Sequence, residues 1–135
     1  ACGFVNPISA MFIGMIVAGV CYVAVAIIKG KLGYDDSLDA FGVHGVGGTV
    51  GTIATGIFAQ KSINPAGADG LLFGNAHQLF VQCLILIVAV VFATIMTFII
   101  FKIIDAVIGM RVEENNEIVG LDLTQQSEAA YTVIE

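Results

Sequence analysis

His44 lies in the middle of an apolar, glycine-rich stretch and is the residue in this sequence best suited to chemistry. An ionisable side chain inside a membrane helix is costly and commonly marks a functional site, and a histidine near its pKa can accept and return a proton. At helical spacing Phe41, Gly47, Gly48 and Gly51 share its side. The glycines leave space beside the ring, as a narrow passage or a second histidine requires. The alternative is an interhelical hydrogen bond in a packed bundle.

Four polar residues, Asp35, Asp36, Ser37 and Asp39, directly precede this stretch. Acids and serine at a helix N-terminus accept hydrogen bonds from free N–H groups and suit the positive end of the helix dipole. We therefore expect Asp36 and Asp39 to cap the helix that carries His44. A vestibule that attracts cations is the alternative, because clustered aspartates favour cations at channel mouths.

Metal or cofactor chemistry is not expected. The other histidine, His77, falls on a different helix and at a different expected depth. The three cysteines, Cys2, Cys21 and Cys83, are scattered without ligand spacing. A metal-binding membrane protein would need both histidines at one depth. The sequence also predicts no enzyme, since no set of catalytic residues stands out.

The composition is that of a membrane protein. Of 135 residues, 58% are hydrophobic and 12% charged, and the mean hydropathy is +0.96; soluble domains are about one quarter charged. The formal charge of −6 misleads, because six acids and no base follow Arg111. This acidic tail argues against nucleic-acid binding. The chain begins at Ala1 without a signal-peptide pattern, so we expect it to start within a longer protein.

Three apolar segments, at about 7–28, 40–59 and 78–107, are long enough to cross a bilayer as helices. They predict an all-α polytopic membrane bundle with a transmembrane region over 1–110 and a tail over 111–135. The second segment is the unusual one, with six glycines in twenty residues. Gly47 and Gly51, with Gly48 beside them, offer a flat face for close helix packing.

The distribution of basic residues predicts the orientation. Lys29 and Lys31 lie in the first loop, Lys61 in the second, and Lys102 and Arg111 at the end of the third segment and after it. Cytoplasmic loops carry the excess of lysine and arginine. The first loop and the tail are therefore predicted to be cytoplasmic, in the cell membrane.

Several stretches together resemble the Amt/Mep/Rh ammonium transporter superfamily, and its Amt branch best. The central stretch Asp35-Asp-Ser-Leu-Asp-Ala-Phe-Gly-Val-His-Gly-Val-Gly-Gly48, followed by Thr55-Gly-Ile-Phe-Ala59, is similar to that family's tenth helix. Asn75-Ala-His-Gln-Leu79 is similar to the start of its eleventh helix. The tail Glu117-Ile-Val-Gly-Leu-Asp122 with Glu128-Ala-Ala-Tyr131 resembles its cytoplasmic C-terminal region.

The resemblance implies a fold, an activity and residue roles. These are helices nine to eleven of an eleven-helix homotrimer in the lipid bilayer, with one pore per subunit passing ammonia and a proton derived from ammonium. His44 corresponds to the second of two pore histidines, and Ala40 to a residue lining the cytoplasmic end of the channel. Gly120, Asp122 and Tyr131 belong to the regulatory tail, for which a PII-type signal protein is the implied partner.

One departure from the family pattern lies in the tail, where Gln126-Ser-Glu128 replaces His-Gly-Glu. Loss of that glycine removes easy access to positive φ, so a different local turn is expected. A small membrane assembly or structural subunit without transport activity is the rival reading. The glycine-rich face around His44 speaks against it, because a scaffold has no need of such a face.

Overall fold

The computed structural model describes residues 1 and 3–129, which form helices and turns and contain no strand. Internal contacts divide the chain into two units, Ala1–Val91 and Phe92–Glu135. The first holds two helices and the beginning of a third, and the second holds the rest of the third helix and the tail.

Helix α1 runs over Pro7–Leu32. Pro7 occupies the first turn, and the Asn6 side chain accepts a hydrogen bond from the Ser9 N–H at 2.8 Å. The helix widens into a π turn at Ala24–Ile28 and continues through Lys29–Leu32. It ends beyond the predicted residue 28, because both lysines extend the last turn before Gly33 stops it at φ +64°.

Helix α2 begins with a π turn, Phe41–Gly45, and continues as an α-helix over Val46–Phe58. The hydroxyls of Thr49, Thr52 and Thr55 donate to the carbonyl oxygens four residues earlier, at 2.8–2.9 Å. These bonds satisfy polar groups that would be costly in an apolar surrounding.

Helix α3 covers Ala76–Ile108 and contains no buried side chain. It is preceded by a short 3₁₀ turn, Leu71–Phe73, and is followed by Gly109 at φ +71°. Most of its Ile, Val and Phe side chains are exposed, as expected for a helix facing lipid.

Two of the described helices, Pro7–Leu32 and Ala76–Ile108, are long and apolar enough to cross a membrane. Helix α2 is not one of them, although the sequence predicts three spans. Counted with its π turn, α2 covers residues 41–58, but its glycines, threonines and His44 add little apolarity. Composition therefore does not identify α2 as a span.

Helices α1 and α2 pack on each other around a small core of Val5, Ile13 and Ala54, with Val17 and Phe58 beside it. The core is small, and most of the large apolar side chains among the described residues are exposed. Contiguous apolar surface of this extent is covered by lipid or by further protein in a stable molecule.

The second unit carries a short helix α4, Glu114–Val119, and a π turn, Asp122–Gln126. The sequence predicts a different turn here because Ser127 stands where the family has glycine. The structure nevertheless keeps a positive φ angle at this position. Ser127 takes φ +56°, the conformation that glycine would favour, and the Glu128 N–H donates to the Asp122 carbonyl oxygen at 2.9 Å. Tyr131 lies outside the described residues.

Candidate functional site around His44

Asp36 holds the start of α2. Its carboxylate accepts hydrogen bonds from the backbone N–H groups of Ala40 and Phe41, both at 2.9 Å. The first N–H groups of a helix have no partner within the helix. The Asp36 side chain thus caps the helix that carries His44. Ala40 is exposed and lies where α2 begins.

Asp39 has a different task. Its carboxylate pairs with the Lys29 ammonium at 2.6 Å, and that ammonium also donates to the Asp36 carbonyl oxygen at 2.6 Å. Asp39 also takes φ +56°, which is uncommon for a residue with a side chain. Lys29 therefore links the loop between the helices to the end of α1. The Asp39 carbonyl oxygen accepts from the Val43 N–H at 2.9 Å, and a capping role for the Asp39 side chain stays a prediction.

His44 lies within the π turn, and its side chain is exposed. π turns are rare, occur as single turns inside α-helices and are frequent at functional sites. The Phe41 ring lies over Gly45, where a methyl group would come within 3.0 Å of it, and meets the Tyr34 ring edge-on at 5.9 Å. This aromatic pair covers one side of the turn.

Helix α1 contacts the residues that flank His44. A methyl group on Gly42 would lie 2.6 Å from the Val25 Cγ2 atom, and one on Gly47 would lie 3.0 Å from the Cys21 Sγ atom. The Cys21 thiol also approaches the Val43 carbonyl oxygen at 3.7 Å. The backbone on both sides of His44 is thus seated directly on α1.

The three glycines predicted to pack have different surroundings. Gly47 is buried against α1, whereas Gly48 and Gly51 have no atom within 4 Å of a potential Cβ in the described chain. Both open glycines lie on the His44 side of the helix. On the side of the helix that carries His44, Gly47 thus packs against α1, whereas Gly48 and Gly51 face no neighbour among the described residues.

His77 is not brought near His44 by any described contact. Its ring lies 6.3 Å from that of Phe80 at the beginning of α3. Among the described residues no group of three or more His, Cys, Asp or Glu side chains could hold a metal ion.

The predicted tail residues lie in the second unit. Gly120 takes φ +110°, and a side chain there would meet the Asp122 Oδ1 atom at 2.6 Å. Its carbonyl oxygen accepts from the N–H and hydroxyl of Thr124 at 3.1 and 2.9 Å. Nearby, Arg111 and Glu117 form an exposed ion pair at 3.6 Å.

Two residues of the site were missed at the sequence level, Lys29 and Val25. In the sequence Lys29 indicates only the orientation of the chain, although a lysine six residues before an acidic cluster also suggests an ion pair between the helix end and the loop. Val25 gives no signal in the sequence, because its role depends on how closely α1 and α2 approach.

A sequence model of the family described as Ammonium Transporter Family matches residues 1–131 of this chain. An ammonium transporter of Bacillus subtilis is 49% identical over 131 residues, which are 97% of this chain and 32% of the relative. The ammonium transporter Amt1 of Archaeoglobus fulgidus is 44% identical over 133 residues, 98% of this chain and 33% of the relative.

Among solved structures, the crystal structure of Saccharomyces cerevisiae Mep2 is similar, with a TM-score of 0.77 and 30% identity. The match covers 85% of this chain and 27% of Mep2. The chain spans about a third of the length of the curated relatives it matches.

Proposed function

Because this chain belongs to the ammonium transporter family, we propose that it is the pore-forming C-terminal third of a transporter passing ammonia and a proton across the cell membrane. The observation that carries the proposal is the exposed His44 on a helix face where Gly48 and Gly51 leave open space. In this proposal α2 crosses the bilayer as an inner helix, which accounts for its low apolarity beside the two apolar helices.

The chemistry follows from the cost of moving charge through hydrocarbon. A bare ammonium ion in an apolar channel is expensive, whereas neutral ammonia is not. His44 accepts the proton that ammonium gives up, and the exposed imidazole returns it toward the inner side. In the whole transporter an apolar lining of the path lets neutral ammonia pass and opposes the entry of hydrated metal cations. Ala40, one turn before His44, lines the cytoplasmic end of the path in the proposed orientation.

Replacing His44 by alanine in the whole transporter tests this role. Ammonium-dependent current is expected to fall about 100-fold or more, since a positioned proton-transfer group contributes roughly 10²–10⁴-fold to a rate. Labelled methylammonium uptake and the current, each divided by the amount of protein in the membrane, are the measurements. His77→Ala is the matched control and should transport as the parent does. Unchanged current and ion selectivity in His44→Ala would refute the relay.

The 135-residue chain by itself is expected not to transport. The described residues place one histidine face beside open space, and an enclosed path needs walls on all sides. Vesicles containing only this chain should take up labelled methylammonium no faster than empty vesicles. Uptake above that background would favour a self-sufficient pore, and a complete transporter in the same lipid is the positive control.

The remaining parts of the proposal concern the assembly. We propose a homotrimer, a cytoplasmic tail and regulation of that tail by a PII-type protein. The conformation of Gly120 and the turn around Asp122 support a tail with a defined shape that a partner can recognise. The rival, a structural membrane subunit without transport, would leave the His44 face without a purpose.

A further inference from the structure

Two of the three π turns among the described residues, Ala24–Ile28 in α1 and Phe41–Gly45 in α2, lie against each other. A π turn inserts one extra residue into a helix and rotates every side chain that follows. Where His44 points therefore depends on the register of its own π turn. Something outside α2 has to hold that register, because the α-helical alternative has better backbone geometry.

Val25 and Gly42 face each other where the two turns meet. A Cβ atom on Gly42 would lie 2.6 Å from the Val25 Cγ2 atom and 3.7 Å from its backbone nitrogen. Gly42 is buried, and Val25 is half-buried. The valine methyl thus occupies the place where any side chain at position 42 would go, two residues before the histidine.

We infer that Val25 is a positioning residue for His44, acting through Gly42. The inference rests on the proposed proton-relay role of His44. Valine has a stiff χ1 angle, so its methyl group is a fixed stop against which the bare backbone of Gly42 seats. Cys21, one turn before Val25 in α1, contacts the same π turn at Val43 and the following α-helix at Gly47.

The test is a double-mutant cycle in the whole transporter. Gly42→Ala forces the turn away from Val25 and is expected to lower ammonium-dependent current about tenfold per protein, within the coupling range of touching residues. Val25→Ala removes the opposing methyl groups and should lower it less. Gly42→Ala with Val25→Ala should recover most of the loss. Gly30→Ala, the same change on α1 with no atom within 4 Å, is the control.

A positioning role also predicts effects that a purely structural one does not. Gly42→Ala should change the pH dependence of the current in membranes where protein amount and assembly equal those of the parent. Added to His44→Ala, it should cause no further loss. The inference would be overturned if adding Val25→Ala to Gly42→Ala restored neither the size nor the pH dependence of the current. It would also be overturned if Gly42→Ala lowered the current further in the His44→Ala variant.

Failure of the proposed function gives a different result. If His44→Ala behaves as the parent while Gly42→Ala is impaired, the contact positions some other group and both the relay and this inference are wrong. If His44→Ala is impaired and Gly42→Ala is not, only the inference is wrong.

Discussion

Replacing Gly70 by alanine is expected to lower the thermal unfolding midpoint of the protein clearly. The glycine lies in the loop between α2 and α3, and its N–H donates to the Ala59 carbonyl oxygen at 2.8 Å. A methyl group there would lie 2.6 Å from the Ile57 carbonyl oxygen and 2.8 Å from that of Gly56. Both obstacles are backbone atoms of α2, so the helix end itself would have to move. Overpacking of this kind costs about 1–3 kcal/mol or more.

Gly67 in the same loop provides the matched control. An alanine there would meet the Phe4 ring at 2.7 Å, but that ring is exposed and can swing away. Thermal unfolding in detergent, followed as the loss of monodisperse protein, should show a clearly lower midpoint for Gly70→Ala than for Gly67→Ala. Equal midpoints would mean that the loop yields to the added methyl, and the contact would not be structural.

The reason for Gly70 was not visible in the sequence. Its φ of −86° is open to any residue, so the position needs glycine for space and not for conformation. Gly56 is similar, since a methyl group there would lie 2.9 Å from the Leu79 Cα atom at the crossing of α2 and α3. Sequence patterns predict which residues share a helix face, but not which backbones meet at that face.

What could be predicted from the sequence depends on short-range effects. Runs of apolar residues place α1 and α3 within a few residues of their observed ends, and the ionisable His44 stands out inside an apolar stretch. The membrane fold of an ammonium transporter was predicted from the resemblance of several stretches along the chain to that family, and the similarity to Mep2 confirms it.

What could not be predicted depends on contacts between distant residues. No residue pattern indicates the π turns at 24–28 and 41–45, which lie where α1 and α2 contact each other. The pairing of Lys29 with Asp39 needs the loop to fold back on α1. The close packing expected of Gly48 and Gly51 stays a prediction, because partners for these glycines are not found among the described residues.

Replacing Asp36 by alanine is expected to loosen the first turn of α2, at the end of the helix opposite to Gly70. One carboxylate serves the Ala40 and Phe41 N–H groups at once, at the entry to the turn that carries His44. Removal of a helix cap costs about 0.5–2 kcal/mol. In Asp36→Ala this corresponds to a roughly 2- to 30-fold larger open population of the first turn, and amide hydrogen exchange over 38–43 should accelerate by the same factor.

Graded variants separate the cap from a general loss of charge at this loop. Asp36→Asn keeps one acceptor oxygen of two, so its exchange should lie between those of the parent and Asp36→Ala. Ser37→Ala changes the exposed neighbour and should exchange as the parent does. If Asp36→Asn instead exchanged as fast as Asp36→Ala, the negative charge would matter more than the two hydrogen bonds. If neither differed from Ser37→Ala, Lys29 alone would be sufficient to hold the start of α2, because its contacts with Asp39 and the Asp36 carbonyl oxygen survive both changes.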